Sequence, residues 1–215
     1  MTDELSKRLF EYAEEHTTRP DVVLNNIYRN IWLNAATPHQ SSTPYQGTLL
    51  RMLVSMIRPK KAVEIGTFHG YSTVNIAMSM TEGAILHTIE ANEEYEVIIK
   101  NNAMMAGVEK RVMVHIGDAK QVLPTLGCDI DFAFVDADKM SYNCYFDLLI
   151  EQLSDNGVLV FDNMLWYGNV LKDHADKESE VLKALNDRIT SDSRVENILL
   201  PIRDGLMICR KLKEN

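Results

Sequence analysis

Five short apolar segments alternate with longer amphipathic segments along most of this chain, and this alternation limits its fold more than any other feature. The apolar segments read as strands, and they lie at residues 62–66, 85–90, 112–116, 130–136 and 157–162. The segments between them are helical in pattern and long enough for the crossovers that parallel strands require. Parallel strands are covered on both faces and are therefore apolar throughout. The sequence predicts an α/β fold built on a parallel sheet.

The beginning of the chain departs from this alternation. Residues 3–36 read as two amphipathic helices, and the second is predicted to open at Pro20. One face of the first helix is apolar and carries Leu5, Leu9 and Tyr12. A polar loop follows, and the helix before the first strand is predicted at residues 49–57.

The end of the chain departs from it as well. Residues 195–200 and 206–211 read as two strands joined by a turn that contains Asp-Gly, a strong hairpin signal. The parallel sheet is therefore predicted to finish in an antiparallel hairpin. We expect one domain over residues 1–215, with N-terminal helices and a ligand-side loop in 1–43 and the core in 44–215.

Charge and cysteine content exclude several classes of protein. The 22 Lys and Arg residues against 31 Asp and Glu residues give a net charge of −9, which argues against a broad nucleic-acid-binding face. Cys128, Cys144 and Cys209 form no C-x-x-C pair and are typical of free thiols in a reducing compartment. The chain has no apolar run of membrane-spanning length and no secretory signal at its start. We expect a cytoplasmic protein without a membrane segment.

Ligands of such a sheet bind beyond the carboxyl ends of its strands, so the residues at those ends are the candidates for a site. The first strand runs into a turn that contains Gly66 and Gly70, where the backbone can approach a ligand closely. The turn is not G-x-G-x-x-G, which weighs against a nicotinamide-dependent oxidoreductase. A plain strand-to-helix turn remains the alternative interpretation.

The second and third strands end beside acidic residues. Glu90 closes the second strand, and Asp118 and Ala119 follow the third. An acid at this edge can accept hydrogen bonds from ribose hydroxyls. Each acid alone reads as a solvated loop residue, but together they predict a nucleoside-like ligand.

The fourth and fifth strands carry a sharper signal. Asp136 and Asp138 follow the fourth strand, and Asp162 and Asn163 follow the fifth. Neighbouring strands lie about 4.8 Å apart, so these side chains are expected to converge. Carboxylate and amide oxygens favour Mg²⁺, Mn²⁺ or Ca²⁺ over zinc. The alternative is that these acids cap the helices that follow them.

Lys139 lies three residues after the first of these acids. Near a divalent cation and in a partly dry site, its ammonium group is expected to be biased toward the neutral amine, which would act as a general base. A solvated surface lysine is the alternative.

With these motifs the chain resembles the cation-dependent O-methyltransferases that use S-adenosylmethionine, the group of catechol and caffeoyl-CoA O-methyltransferases and their bacterial relatives. The resemblance runs from about Pro44 to Lys211. It is carried by Val63–Ser72, Phe134–Lys139, Asp162–Gly168, Leu200-Pro201 and Asp204-Gly205-Leu206. It implies a Rossmann-like class I methyltransferase fold, with a mostly parallel seven-stranded sheet, a C-terminal antiparallel hairpin and helices on both faces.

The resemblance also implies a role for each matching residue. Positions that match the binding site of the methyl donor are Ser42, Glu64, Gly66, Thr67, Ser72, Glu90, Asp118, Ala119, Asp136 and Asp138. Asp136, Asp162 and Asn163 match the three protein ligands of the metal, and Lys139 matches the base, acting beside Asp136. Residues expected on the acceptor side are Lys139, Trp166 and Tyr167, together with His39, for which a surface histidine in a loop unlike that of relatives is the alternative. Relatives often carry Arg-Met and Leu-Ser-Gly in the loop where this chain has residues 39–44, so the acceptor is not named by the resemblance.

The implied activity is transfer of the methyl group of S-adenosylmethionine to a hydroxyl of a catechol-like molecule, dependent on Mg²⁺ or on Mn²⁺ or Ca²⁺, by a homodimer. One alternative is methylation of a hydroxylated uridine in tRNA, as in some bacterial relatives. The chain carries a small basic cluster of Arg51, Arg58, Lys60 and Lys61 that suits it. Another alternative is a module that binds S-adenosylmethionine without turnover.

Overall fold

A seven-stranded mixed sheet forms the centre of the protein in a computed structural model that describes residues 3–172 and 176–213. Its strands are β1 Lys61–Ile65, β2 Ile85–Glu90, β3 Val112–Ile116, β4 Ile130–Val135, β5 Leu153–Phe161, β6 Val195–Leu200 and β7 Leu206–Lys211. They are ordered β3-β2-β1-β4-β5-β7-β6. The first five strands run parallel, and β7 pairs antiparallel with both β5 and β6. The predicted fold class and the antiparallel ending are confirmed.

The strand order reverses between β1 and β4. From β1 the chain builds outward through β2 and β3, and then it returns to add β4 on the other side of β1. Ile65 pairs with Val135, and Val135 pairs with Phe161, so β1, β4 and β5 end side by side. The loops after these three strands therefore meet at the switch point, where an open α/β sheet binds its ligands.

Helices cover both faces of the sheet. They are α1 Asp3–Glu15, α2 Val22–Asn34, α3 Pro44–Ile57, α4 Tyr71–Ser79, α5 Glu96–Met105, α6 Ala119–Val122, α7 Tyr142–Gln152 and α8 Lys177–Ser191. Short 3₁₀ segments lie at Pro38–Gln40, Glu93–Tyr95, Leu123–Leu126, Lys139–Ser141 and Trp166–Leu171. Within the described ranges, none of the helices is long and apolar enough to cross a membrane.

Two apolar layers hold the helices against the sheet. Successive side chains of a strand point to opposite faces, so Val63 packs toward α7 and α8 while Ala62 packs toward α3 and α4. A third cluster joins Leu24 and Ile27 of α2 to Tyr71 of α4. Helix α2 is thereby attached to the helix that begins just after the first strand, close to the ligand edge.

The bounds of the strands agree with the predictions within one residue, except for β5. That strand begins at Leu153, because backbone pairing with Ile130 extends it through residues that are polar and carry no apolar signal.

Two helix starts were wrong. Helix α2 begins after Asp21, so Pro20 precedes the helix. Helix α3 begins at Pro44, where the Thr43 hydroxyl caps it by accepting from the backbone N–H of Gln46.

Candidate functional site

A large cavity opens at the carboxyl ends of the parallel strands. Its volume of about 1650 Å³ exceeds the ~300–1,000 Å³ of a typical small-ligand pocket, so it has room for two molecules side by side. The predicted site residues that line it are His39, Ser42, Gly66, Thr67, Ser72, Glu90, Asp118, Ala119, Asp136, Asp138, Lys139, Asp162, Asn163, Trp166 and Tyr167. The structure thus brings together residues from five strand ends and from the loop before α3.

Glu64 is the predicted residue that does not line the cavity, since it is fully buried on β1. Its Oε2 accepts hydrogen bonds from the hydroxyls of Thr73 (2.5 Å) and Thr88 (2.6 Å). Its Oε1 is buried and has no hydrogen-bond partner among the described residues. Burial raises the pKa of Glu64 to about 7, although the hydroxyl groups of Ser72, Thr73 and Thr88 near its carboxylate oppose this shift. A buried acceptor without a donor is unusual and indicates a missing partner.

Glu90 has a structural role that the sequence analysis did not predict. Its Oε2 accepts from the backbone N–H groups of Thr67 (3.1 Å) and Phe68 (2.7 Å), and its Oε1 accepts from that of Asn92 (2.9 Å). Phe68 has a left-handed backbone with φ of 52°. The carboxylate therefore holds the turn after β1 in a conformation that non-glycine residues seldom adopt.

Gly66 is required by packing within the protein. Its φ is +89°, and a Cβ at this position would lie 1.9 Å from the carbonyl oxygen of Asp136. We expected the glycine to admit a ligand, and it does line the cavity. The closer constraint is the contact between the ends of β1 and β4.

Two of the acids cap the segments that follow them, which the alternative interpretation held for Asp138, whereas for Asp118 the alternative was a solvated loop residue. Asp118 accepts from the backbone N–H of Lys120 (2.9 Å) at the start of α6. Asp138 accepts from the backbone N–H of Met140 (3.3 Å) and from the hydroxyl of Ser141 (2.6 Å). Both remain at the cavity wall, but their carboxylates are partly occupied by these bonds.

Asp136, Asp162 and Asn163 follow neighbouring strands and face the same cavity. Asp162 is only 2% exposed, and burial together with the nearby charge of Asp136 raises its pKa. Two carboxylates that destabilise each other's charge form a site suited to a cation. In the part of the chain that the structure describes, no cluster of three or more His, Cys, Asp or Glu side chains could hold a metal. The predicted set differs from such a cluster because its third member is an amide.

Lys139 is buried beside these acids. Its Nζ donates to Asp136 Oδ1 (3.0 Å) and to the hydroxyl oxygen of Tyr142 (2.7 Å). Burial alone would lower its pKa, but the interactions with Tyr142 and Asp136 outweigh burial and raise it. The ammonium form is therefore favoured where Asp136 is its immediate anionic partner. The bias toward the neutral amine was expected beside a bound divalent cation, and it stays a prediction.

The side of the cavity where we expected the acceptor is more open. His39 is exposed on the 3₁₀ segment before α3, Trp166 is half-buried, and Tyr167 is 76% exposed. Helix α1 also contributes to the wall through Lys7 and Phe10, which the sequence analysis did not identify. The Phe10 ring packs 5.3 Å from that of Tyr45, which attaches α1 to the beginning of α3.

Sequence reasoning missed several other residues of the site. Gln46 Nε2 donates to Asp162 Oδ2 (2.5 Å), and Tyr142 contacts Lys139. Arg203 and Asp204, in the turn between β6 and β7, also reach the site. The Asp-Gly signal predicted that turn. The turn lies far from β5 in sequence, so the sequence did not show that it packs beside Asp162.

The basic cluster does not reach the cavity. Arg58, Lys60 and Lys61 lie just before or at the start of β1, at the opposite edge of the sheet from its carboxyl end. Arg51 forms an ion pair with Asp21 (3.4 Å).

The sequence is similar to plant O-methyltransferases. A profile of the O-methyltransferase family matches residues 14–212. Caffeoyl-CoA O-methyltransferase of Stellaria longipes is 33% identical over 187 residues, which cover 80% of this chain and 76% of that protein. Tricin synthase 2 of Oryza sativa subsp. japonica is 34% identical over 185 residues, which cover 80% of this chain and 63% of that protein.

The fold matches those of solved bacterial enzymes. The O-methyltransferase of Bacillus cereus in complex with SAH has a TM-score of 0.85 at 26% identity, covering 94% of this chain and 96% of that one. TomG of Streptomyces achromogenes, an O-methyltransferase involved in tomaymycin synthesis and solved with SAM, has a TM-score of 0.88 at 25% identity, covering 99% of this chain and 100% of that one. With its switch-point cavity, its sheet order and these similarities, the chain belongs to the S-adenosylmethionine-dependent O-methyltransferase family and has caffeoyl-CoA O-methyltransferases among its relatives.

Proposed function

We propose that this enzyme uses a divalent cation, Mg²⁺ or else Mn²⁺ or Ca²⁺, to transfer the methyl group of S-adenosylmethionine to one of two neighbouring hydroxyls on a small catechol-like acceptor. The observation that carries the proposal is the convergence of Asp136 and Asp162 in one cavity with Asn163 and Lys139. The similarity of this chain to caffeoyl-CoA O-methyltransferases supports a small-molecule acceptor.

The donor end of the cavity suits S-adenosylmethionine. The unpartnered Oε1 of Glu64 is an acceptor for the donor's ammonium group, and an ammonium there would stabilise the ionised carboxylate. Glu90 lines the cavity, where its carboxylate would accept from the ribose hydroxyls. The bound SAH and SAM of the two bacterial relatives support this assignment.

The residues at the ends of β4 and β5 fit a hard cation. Asp136 and Asp162 supply carboxylate oxygens and Asn163 supplies an amide oxygen, which are the ligand types that Mg²⁺ prefers. When bound there, such a cation would supply the positive charge that lowers the pKa of an acceptor hydroxyl.

Lys139 is placed to take the proton of that hydroxyl. It is buried and lies 3.0 Å from Asp136 Oδ1. Where the charge of Asp136 is offset, the interaction with Asp136 that raises the pKa of Lys139 weakens, and the pKa moves toward the neutral amine. The sulfonium methyl is already electrophilic, so alignment of the acceptor oxygen is the main requirement. Alignment contributes ~7–11 kcal/mol in the best cases.

The test is methyl transfer from labelled S-adenosylmethionine to a panel of vicinal diphenols, with Mg²⁺ or with EDTA. We expect labelling that EDTA abolishes, and labelling that resists EDTA would contradict the role of the cation. Donor binding measured by calorimetry without labelling would favour a tRNA acceptor or a non-catalytic module. A salt-sensitive gel shift with tRNA separates those two. If the protein does not bind S-adenosylmethionine, the proposed methyl transfer is wrong.

A further inference from the structure

We propose that the turn between β6 and β7 orients the two oxygen groups at the end of β5, with Arg203 acting on Asp162 through Gln46 and Asp204 acting directly on Asn163. Adjacent residues of the turn thus hold adjacent residues of the site. This inference rests on the cation site of the proposed function. It assigns positioning roles to residues that do not themselves ligate the cation.

The first branch runs through the buried amide of Gln46. Its Nε2 donates to Asp162 Oδ2 (2.5 Å), and its Oε1 accepts from Arg203 Nη1 (2.9 Å). A guanidinium group can only donate, so it selects the amide oxygen and turns the amide nitrogen toward the carboxylate. Arg203 Nη1 also lies 3.4 Å from the carbonyl oxygen of Ser41, in the loop before α3.

The geometry leaves Asp162 little freedom. Its Oδ2 is held by Gln46, and its Oδ1 accepts from the backbone N–H of Asn163 (2.7 Å). An ionised carboxylate has about four lone-pair sites, so each oxygen retains one for a further partner. Asp162 is therefore oriented by bonds that do not use up its capacity as a ligand.

The second branch runs through Asp204. One of its carboxylate oxygens accepts from Asn163 Nδ2 (3.3 Å), and the other accepts from the backbone N–H of Tyr167. Because a carboxylate accepts and does not donate, it selects the amide nitrogen of Asn163. The amide oxygen, which a hard cation would use, points away from Asp204.

Backbone contacts fix the turn against the segment that carries these groups. The N–H of Met164 donates to the carbonyl oxygen of Gly205 (3.0 Å), and the N–H of Leu165 donates to that of Asp204 (2.8 Å). Gly205 has φ of +90°, and a Cβ there would lie 2.5 Å from Leu165 Cγ. The turn and the β5 end therefore form one unit, from which the side chains of residues 203 and 204 act.

The test measures Mn²⁺ affinity of the full chain by the electron paramagnetic resonance signal of free Mn²⁺, without donor or acceptor. Loss of a group that supports a metal ligand typically weakens metal binding about 10- to 100-fold. We expect losses in this range for Gln46→Met and Asp204→Ala, and partial recovery in Asp204→Asn, which keeps one acceptor oxygen. S-adenosylmethionine binding, measured by calorimetry, should change less than twofold. Arg210→Met, at an exposed arginine of β7, is the matched control.

A second test concerns the path from Arg203 through Gln46 to Asp162, which we call the relay. Since Arg203 acts through Gln46, the double variant of Arg203→Met and Gln46→Met should bind Mn²⁺ no more weakly than Gln46→Met alone. Additive losses would overturn the relay, and so would an Arg203→Met effect confined to the acceptor KM. If Gln46→Met fails to fold by circular dichroism, the less buried Arg203→Met and Asp204→Ala decide. Unchanged Mn²⁺ affinity in the variants overturns the inference, whereas a wild-type chain that binds no Mn²⁺ overturns the cation site together with it.

Discussion

The carbonyl oxygen of Asp136 fills the space that a Cβ atom on residue 66 would need. The two positions would be 1.9 Å apart, and the N–H of Asp136 donates to the carbonyl oxygen of Ile65 (2.9 Å). Gly66 therefore allows the ends of β1 and β4 to meet. This contact joins the turn assigned to the methyl donor to the first of the acids assigned to the cation.

Replacing Gly66 by alanine tests this contact. The new Cβ would meet backbone and would also strain a φ of +89°, so we expect Gly66→Ala to lower the free energy of unfolding by about 2–5 kcal/mol. Gly83→Ala is the matched control, because Gly83 has φ of +79° and nothing within 4 Å of its added Cβ. Gly83→Ala should lower the free energy of unfolding by only ~1–2 kcal/mol. Urea unfolding measures both, and equal losses would contradict the steric argument.

The sequence predicted the sheet well because apolar runs report burial on both faces. It also predicted candidate residues at the strand ends, and the structure brings these residues to one cavity because β1, β4 and β5 lie side by side in its strand order. The sequence did not predict Gln46 as a residue of the site. Gln46 contacts Asp162 across 116 positions of sequence, and only the packing of α3 brings the two residues together. The raised pKa of Lys139 was missed for a different reason. Its partners Asp136 and Tyr142 each lie only three positions away, but the sequence pattern does not show that both contact the Lys139 ammonium group.

Asp162→Ala should separate turnover from donor binding. The variant loses one of the two carboxylates assigned to the cation. Loss of a residue that only supports a metal ligand typically costs about 10- to 100-fold, so metal-dependent methyl transfer should fall by more than this. Glu64 and Glu90 are untouched, and S-adenosylmethionine binding by calorimetry should stay within about twofold. The fold should persist, because burial and the charge of Asp136 already disfavour the ionised Asp162. Equal loss of both measurements would show that these roles are assigned wrongly.

Lys139→Met tests the proposed base. General base catalysis typically contributes about 10²- to 10⁴-fold, and kcat should fall in that range with donor binding retained. Methionine is chosen because the lysine stem is buried. A loss of less than threefold would remove Lys139 from the mechanism.

Tyr142→Phe should shift the pH dependence of the same reaction. The Tyr142 hydroxyl accepts from Lys139 Nζ at 2.7 Å and favours the ammonium form, so its removal lowers the pKa of Lys139. A base is active when neutral, so the acidic limb of the kcat profile should move to lower pH. A profile of kcat against pH for the variant and the wild type measures this, and a limb that moves to higher pH would contradict it.

The apolar face of α1 predicts that the protein is a homodimer. Leu5, Leu9 and Tyr12 remain 45%, 50% and 60% exposed, although Phe10 of the same helix is packed against Tyr45. Light scattering should give about twice the chain mass of 24.5 kDa at micromolar concentration, and Leu9→Asp should shift the mass toward the monomer. The matched control is Val97→Asp, at an exposed apolar residue of α5. A wild-type mass of one chain would contradict the prediction.

Glu64 should make stability depend on pH in a direction opposite to that of a salt-bridged acid. Burial raises its pKa from 4.5 to about 7 in the folded protein, so the protonated form is favoured by folding. Its stabilising effect is complete below pH 4.5 and is lost as the pH rises through about 7. At 1.36 kcal/mol for each unit of pKa, the loss between pH 5 and 8 is on the order of 2–3 kcal/mol. The Glu64→Gln variant should not show this loss of stability between pH 5 and 8. The Glu82→Gln variant, at an exposed acid, should still show it.

The same titration should appear in donor binding. An ammonium group beside Oε1 favours the ionised carboxylate, so the affinity for S-adenosylmethionine should rise with pH up to about 7 and binding should release a proton below that pH. Calorimetry in buffers of different ionisation enthalpy measures the proton release. Glu64→Gln should bind more weakly and release no proton. Proton release that persists in this variant would assign the titration to another group and would leave the orphaned oxygen of Glu64 without its proposed partner.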